Sequence, residues 1–280
     1  VLPHGTDDLI AKALAEDLGD GDHTTLATIP TEASGGARLL VKEAGVLAGV
    51  EIAAAVAKQV DPALHLRPYL MDGAAIAPGD VAFNLLGPER SILQAERLLL
   101  NFMQRMSGIA TLTRRYVEAI DGTGCRVLDT RKTTPGLRAI EKWAVRIGGG
   151  HNHRHGLYDM VLIKDNHIDF CGGIPQAINA VQDYLERKGL DLRVEVEVRD
   201  LAELEQVLVH DRVHRVMLDN FTPYLLSKAV QLISGRFETE ASGGITLETA
   251  RDYAATGVDF ISVGALTHSA RSLDLSLKAL

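Results

Sequence analysis

Between Asp129 and Gly156 the sequence DTRKTTPGLRAIEKWAVRIGGGHNHRHG gathers six Arg or Lys and three His. That chemistry suits an anionic ligand. Arg grips a carboxylate or phosphate through two parallel hydrogen bonds, and Lys supplies a mobile point charge. Two like charges about 4 Å apart cost roughly 4 kcal/mol at the effective dielectric of a protein surface, so converging cations call for something negative between them. Arg131 and Lys132 lead the candidates because they close an apolar run, and Lys164, directly after MVLI, has the same placement. Arg138, Lys142 and Arg146 fall at helical spacing and are expected on a solvated helix face.

His151, His153 and His155 alternate after three glycines, a pattern that raises the question of a metal. Arg154 among them would repel a cation, and no Cys or HExxH accompanies them, so anion donation is the preferred reading. Lys164 suits either a Schiff-base nucleophile or an electrostatic clamp. Glu197 is the second Glu of VEVEV and Asp219 closes VMLD, placing two carboxylates near the ends of adjacent strands. Alternation puts Glu195 and Glu197 on one side, facing either a barrel interior or a helix layer. Carboxylates in such places need cations, Mg²⁺ or ligand hydroxyls. ASGGI and VGALTHS expose backbone N–H groups at Ser242, Gly243, Gly244 and Gly264, and the helices expected after them would favour a phosphate. DLGDGDHTT fails as a calcium loop, since Thr28 stands where the twelfth-position Glu belongs, and no phosphate-binding GxxxxGK or GxGxxG follows a strand.

The elements that must carry these groups recur from about Val127 onward. RVLDTRK, DMVLIKDN, RVEVEV, RVMLDN, ETEASGG and DFISVGA are short β-branched runs that give way at or near their ends to polar residues or glycine, and an amphipathic stretch usually follows. They predict βα units of an α/β fold with functional groups at the carboxyl ends of parallel strands. A β/α barrel and an open doubly wound sheet both fit that spacing. The first hundred residues read as a separate strand-and-helix unit. Ser91 is the expected cap of a long helix with Ile92, Leu99, Phe102, Met103 and Met106 on its apolar faces. The tail SLDLSLKAL is expected to fold back on this unit.

The acidic balance, 37 Asp or Glu against 29 Lys or Arg, argues against nucleic-acid and anionic-membrane partners. The most hydrophobic runs carry charges that rule against a membrane span, and the acidic first residues do not read as a signal peptide. Cys125 and Cys171 are far apart, so a disulfide framework is not indicated and a cytoplasmic setting is expected.

EDLGDGDHTT, ERLLLNFMQRMSGIAT, DTRKTTPGLR, GGGHNHRHGLYDMVLIKDNHI, VEVEV, MLDNF, ASGGI and ISVGALTHS occur in that order over nearly the whole chain. Together they resemble the nicotinate-nucleotide pyrophosphorylase family, also called quinolinate phosphoribosyltransferase. The resemblance implies an incomplete (β/α) barrel over 108–268 and an N-terminal α/β sandwich over 1–107, with the 269–280 tail packed on the sandwich. It implies conversion of quinolinate and phosphoribosyl pyrophosphate, with Mg²⁺, to nicotinate mononucleotide, pyrophosphate and carbon dioxide. Lys132, Lys164, Glu197 and Asp219 would be catalytic. Arg131, His153 and Arg154 would grip the two carboxylates, joined by Arg97 from the second subunit of a homodimer or higher oligomer. Thr130, Lys132 and Lys164 would line the same pocket. Glu197 and Asp219 would hold ribose hydroxyls and Mg²⁺, and Ser242, Gly243, Gly244, Val263, Gly264, Ala265 and His268 the 5-phosphate. Another phosphate-binding barrel enzyme, such as a Lys164 lyase, and a non-catalytic phosphosugar sensor are the competing readings.

Overall fold

The computed structural model describes residues 2–280. Twelve strands run through the described residues: β1 (Ser34–Val41), β2 (Gly45–Val46), β3 (His65–Pro68), β4 (Ala75–Ile76), β5 (Val81–Pro88), β6 (Arg126–Leu128), β7 (Val161–Ile163), β8 (Val194–Val198), β9 (Arg215–Asp219), β10 (Glu238–Ser242), β11 (Phe260–Ser262) and β12 (Leu275–Ala279). They fall into two compact units. One comprises the chain up to Arg114, Thr133–Gly149 and Ala265–Leu280; the other comprises Arg115–Lys132 and Gly150–Gly264.

In the first unit an antiparallel sheet has the order β12-β1-β5-β3. Ala37, Leu39 and Val41 alternate inward along β1, the pattern of a half-buried strand. The tail forms β12 and pairs with β1. Gly108 makes room for it: a Cβ there would strike the Arg271 carbonyl. Gln104 then anchors the crossing, its carbonyl accepting from Leu273 N–H and its amide donating to Leu275, both at 2.9 Å.

The long helix spans Glu89–Ala119, starting two residues before Ser91. Ser91 therefore lies in the first turn instead of capping it, and its hydroxyl donates to Asp61 at 2.6 Å. Ile92, Leu99, Phe102, Met103 and Met106 are all buried. Each such side chain contributes about 1.5–3 kcal/mol, so the helix is held by packing on more than one face.

Compactness cuts across the expected 107/108 boundary: the helix runs unbroken past it, and Thr133–Gly149 groups with the first unit. Lys142, expected in solvent, is 3% exposed on the helix Arg138–Ile147. Its neighbour Glu141 is fully buried, accepting from Arg105 at 2.8 Å and from Thr134 N–H at 3.1 Å. This ion pair ties Thr133–Gly149 into the first unit, which helical spacing alone does not reveal.

All six expected βα runs form strands of the second unit, parallel and in the order β6-β11-β10-β9-β8-β7. The last strand lies beside the first, and the remaining neighbours are consecutive, a cyclic order that distinguishes an incomplete barrel from an open doubly wound sheet. A single parallel bridge from Leu128 to His151 extends the β6 edge. Register aligns Glu195 with Arg215, Arg215 with Glu238, and Glu240 with Phe260. Those side chains meet on one face, which settles the VEVEV ambiguity in favour of the interior. Val194, Val196 and Val198 point the other way and are buried, with the helix Leu201–Leu208 packed against β8.

Cys125 is buried and Cys171 exposed. Burial pushes the Cys125 thiol up to about 12. At pH 8 iodoacetamide is expected to modify Cys171 and spare Cys125 until urea unfolds the chain, because the thiolate is the nucleophile. Peptide mass spectrometry checks this, and equal labelling of both in the native protein would contradict the burial.

Candidate active site

The carboxyl ends of the barrel strands bring together most of the expected residues of the second unit. Past β6, Thr130 Oγ1 accepts from Lys132 N–H at 3.0 Å, turning the chain so that Lys132 is exposed. Arg131 is half-buried, and its Nε–H is buried with no hydrogen-bond partner. Arg154 is half-buried as well and donates to the Met160 carbonyl at 3.2 Å. Burial first, then the nearby Arg131 charge, holds the Arg154 guanidinium below its usual range. Two guanidiniums thus converge, one with an orphaned donor, as an anion site requires.

After β7 and β8, Lys164 Nζ donates to Glu197 Oε2 at 3.0 Å; the side chains are 45% and 9% exposed. Lys164 therefore sits in an ion pair, a contact that suits an electrostatic clamp. After β9, Asp219 accepts from the Ser242 hydroxyl and the Asn220 amide, both at 2.6 Å. Ser242, expected at the phosphate, spends its proton on Asp219. Asn220 sits at φ 56°, a left-handed conformation tolerated by Asn, and its amide fills the space where a Cβ on Gly243 would fall. Gly243 and Gly244 have φ of 95° and 61°, so the turn after β10 depends on glycine. The helices expected to follow the phosphate loops are short: Ala250–Ala254 and Ala265–His268. Backbone N–H groups of the Gly243–Gly244 turn, more than a helix dipole, are thus the donors available there.

His153 occupies a different environment from the one expected of a carboxylate ligand. Its side chain is 6% exposed, and Nε2 lies 3.0 Å from Glu195 and 3.4 Å from Glu240. Nδ1 accepts the Arg154 backbone N–H at 2.7 Å. In this arrangement neither ring nitrogen is offered to a ligand. Burial disfavours a charged ring, and the Glu195 and Glu240 carboxylates pull the other way, drawing the imidazole upward. The Arg154 amide acts in the opposite sense, since it needs a lone pair on Nδ1. A neutral ring protonated on Nε2 keeps the Nδ1 lone pair for Arg154 and turns its N–H toward the two carboxylates, at ion-pair distance but outside hydrogen-bond geometry; a second proton would have to break the Arg154 bond. Arg215 completes the cluster at 3.0 Å from Glu240 and 3.0 Å from Glu238.

Asp129 was not among the sequence candidates. It is fully buried and accepts from His153 N–H at 2.8 Å and from the Asn152 amide at 2.5 Å. Its position immediately before Thr130 and Arg131 was the available signal. Glu240, Arg215 and Asn220 were missed too, although Glu240 lies in the strand that ends at Ser242. Val263 donates its backbone N–H to Leu128, and Gly264 ends the unit. Arg97, Ala265 and His268 belong to the first unit; Arg97 is exposed and pairs with no carboxylate among the described residues.

Known proteins divide the chain near residue 108, by sequence and not by the compact units described above. Residues 22–107 match the family described as quinolinate phosphoribosyl transferase, N-terminal domain, and residues 109–278 match its C-terminal domain. The chain is 49% identical to quinolinate phosphoribosyltransferase [decarboxylating] 1b of Nicotiana tabacum, covering 98% of this chain and 83% of that protein. It is 44% identical to nicotinate-nucleotide pyrophosphorylase [carboxylating] of Mycobacterium leprae, covering 96% and 95%. The crystal structure of NadC from Streptococcus pyogenes superposes with a TM-score of 0.94 at 40% identity, covering 100% of this chain and 99% of that one. The strand-end cations, the paired carboxylates and both halves of the sequence lead to one conclusion: the chain belongs to the quinolinate phosphoribosyltransferase family.

Proposed function

We propose that this chain transfers a phosphoribosyl group from phosphoribosyl pyrophosphate to quinolinate and releases carbon dioxide, forming nicotinate mononucleotide for NAD biosynthesis. The observation that carries this reading is the convergence of Arg131, with its orphaned Nε–H, on Arg154 at the strand ends. A planar dicarboxylate matches two guanidinium forks. Arg131 and Arg154 take the carboxylates, Lys132 adds an exposed charge beside them, and His153 shapes the wall without offering an N–H. Lys164 and Glu197 face the sugar and pyrophosphate end, Asp219 the ribose hydroxyls, and the Gly243–Gly244 turn the 5-phosphate.

Clamped in this way, the pyridine nitrogen lies behind the anomeric carbon. Its lone pair forms the new C–N bond as the C–O bond to pyrophosphate breaks, through an oxocarbenium-like state. Positioning and fixed charge supply the acceleration, with no covalent enzyme intermediate. The ring nitrogen is now cationic. The adjacent carboxyl leaves as carbon dioxide, its bonding pair stays on the ring carbon, and a proton from solvent replaces it.

Mg²⁺ suits the oxygen donors of Glu197 and Asp219, each carboxylate already oriented by a neighbouring donor at 2.6–3.0 Å. These two residues would hold it directly or through water, and when bound it supplies charge neutralisation for pyrophosphate. Arg97, exposed and without a carboxylate partner, supports a homodimer in which it enters the other subunit's site. No helix among the described residues is long and apolar enough to cross a membrane. Two free cysteines are consistent with the reducing conditions of a cytoplasmic enzyme.

The test is product formation by the purified chain with quinolinate, phosphoribosyl pyrophosphate and Mg²⁺, followed by chromatography. Nicotinate mononucleotide is expected only when both substrates are present. Binding of phosphoribosyl pyrophosphate without product would indicate a sensor instead.

A further inference from the structure

The transfer chemistry leaves a buried polar cluster of the barrel interior unexplained. His153, Glu195 and Glu240 bring one ligand atom each within 4.8 Å of one another, a grouping that could hold a metal ion. Two contacts argue against a metal. An ion on Nε2 would force the ring proton onto Nδ1, against the Arg154 N–H at 2.7 Å. Arg215, 3.0 Å from Glu240, already supplies a cation. Glu195 and Glu240 have no exposed surface, and apolar residues of similar volume would stabilise such a core equally well or better. The cluster therefore calls for a role in orientation.

The contacts trace what is oriented. Glu195 and Glu240 lie 3.0 and 3.4 Å from Nε2 of the imidazole, Nδ1 receives the Arg154 backbone N–H, and Asp129 accepts from the His153 backbone N–H. The tautomer of a histidine is set by the partner of its other nitrogen. We propose that Glu195 and Glu240 are positioning residues for dicarboxylate recognition: they fix the His153 ring so that it anchors the Arg154 backbone and presents the Arg154 guanidinium beside Arg131. This rests on the reading above, in which Arg131 and Arg154 grip the substrate carboxylates.

Glu195→Gln and Glu240→Gln keep side-chain volume and are made separately in the full chain. Each is expected to raise the KM for quinolinate about tenfold or more, the scale seen when outer partners of a ligating histidine are lost. The KM for phosphoribosyl pyrophosphate should change less than twofold. In ¹⁵N-histidine-labelled protein, two-bond proton–nitrogen spectra should show His153 protonated on Nε2 in the parent and a mixture of tautomers in the variants. Equal rises in both KM values, or an unchanged quinolinate KM, would overturn the proposal. If neither variant folds, the parent protein decides. On adding quinolinate the Nε2–H signal should persist, whereas its replacement by an Nδ1–H signal would mean that the ring itself meets the ligand. Parent turnover separates the two levels: without it the reading of the site fails and takes this proposal with it, and with turnover but no KM split only the positioning role fails.

Discussion

Arg131→Ala is expected to lower kcat/KM for quinolinate by roughly 30- to 4,000-fold, the kinetic equivalent of losing one partner of a desolvated, hydrogen-bonded charge pair. The fold should survive. Arg131 pairs with no carboxylate among the described residues, so truncation strands no buried anion. It also removes a charge that disfavours the neighbouring Arg154 guanidinium. Thermal unfolding should therefore be unchanged or slightly higher. Arg131→Lys should recover only part of the activity, because a point charge cannot reproduce the two-pronged bond to a carboxylate. Lys132→Ala is expected to cause a loss of the same order. Steady-state kinetics alongside unfolding curves checks both, and full activity in the double variant would refute the assignment.

The Lys164–Glu197 pair gives an asymmetric expectation. Glu197→Gln should reduce kcat/KM for phosphoribosyl pyrophosphate by about 100-fold or more, the scale of a lost preorganised electrostatic contact. Its stability cost should be at most about 1 kcal/mol, since Lys164 is 45% exposed and can turn to water. Lys164→Met should be the more destabilising change, because it leaves the 9%-exposed Glu197 carboxylate without its cation. Unfolding in urea, read together with kinetics, separates the two. Equal stability losses would mean that the burial of Glu197 has no energetic consequence.

The strand-end chemistry was legible because barrel strands announce themselves as β-branched runs and their last residues stand out as polar. Asp219 ends its strand, Lys164 directly follows its own, Glu197 is the penultimate residue of β8, and Arg131 lies three residues past β6. The interior was half legible. Alternation placed Glu195 and Glu197 together, but a period of two does not reveal which face is inside until Arg215 and Glu240 are seen to close on Glu195 and His153. That Thr133–Gly149 packs with the first compact unit was not legible, because such packing depends on contacts distant in sequence, such as Arg105 with Glu141. The inward turn of His153 was hidden for the same reason: a histidine beside an arginine reads as a ligand donor, and only the carboxylates of two other strands redirect it. Asn220 left a weaker trace, as Asn is one of the few residues that enter the left-handed region.

The central claim is that the strand-end cations hold a pyridine dicarboxylate while its ring nitrogen displaces pyrophosphate, leaving a cation that expels the adjacent carboxyl. The most direct measurement uses quinolinate isotopically labelled in the 2-carboxyl group alone, with phosphoribosyl pyrophosphate and Mg²⁺. Label should appear in carbon dioxide in step with unlabelled nicotinate mononucleotide, and only when phosphoribosyl pyrophosphate is present. Label retained in the mononucleotide, or gas released without the sugar donor, would contradict it.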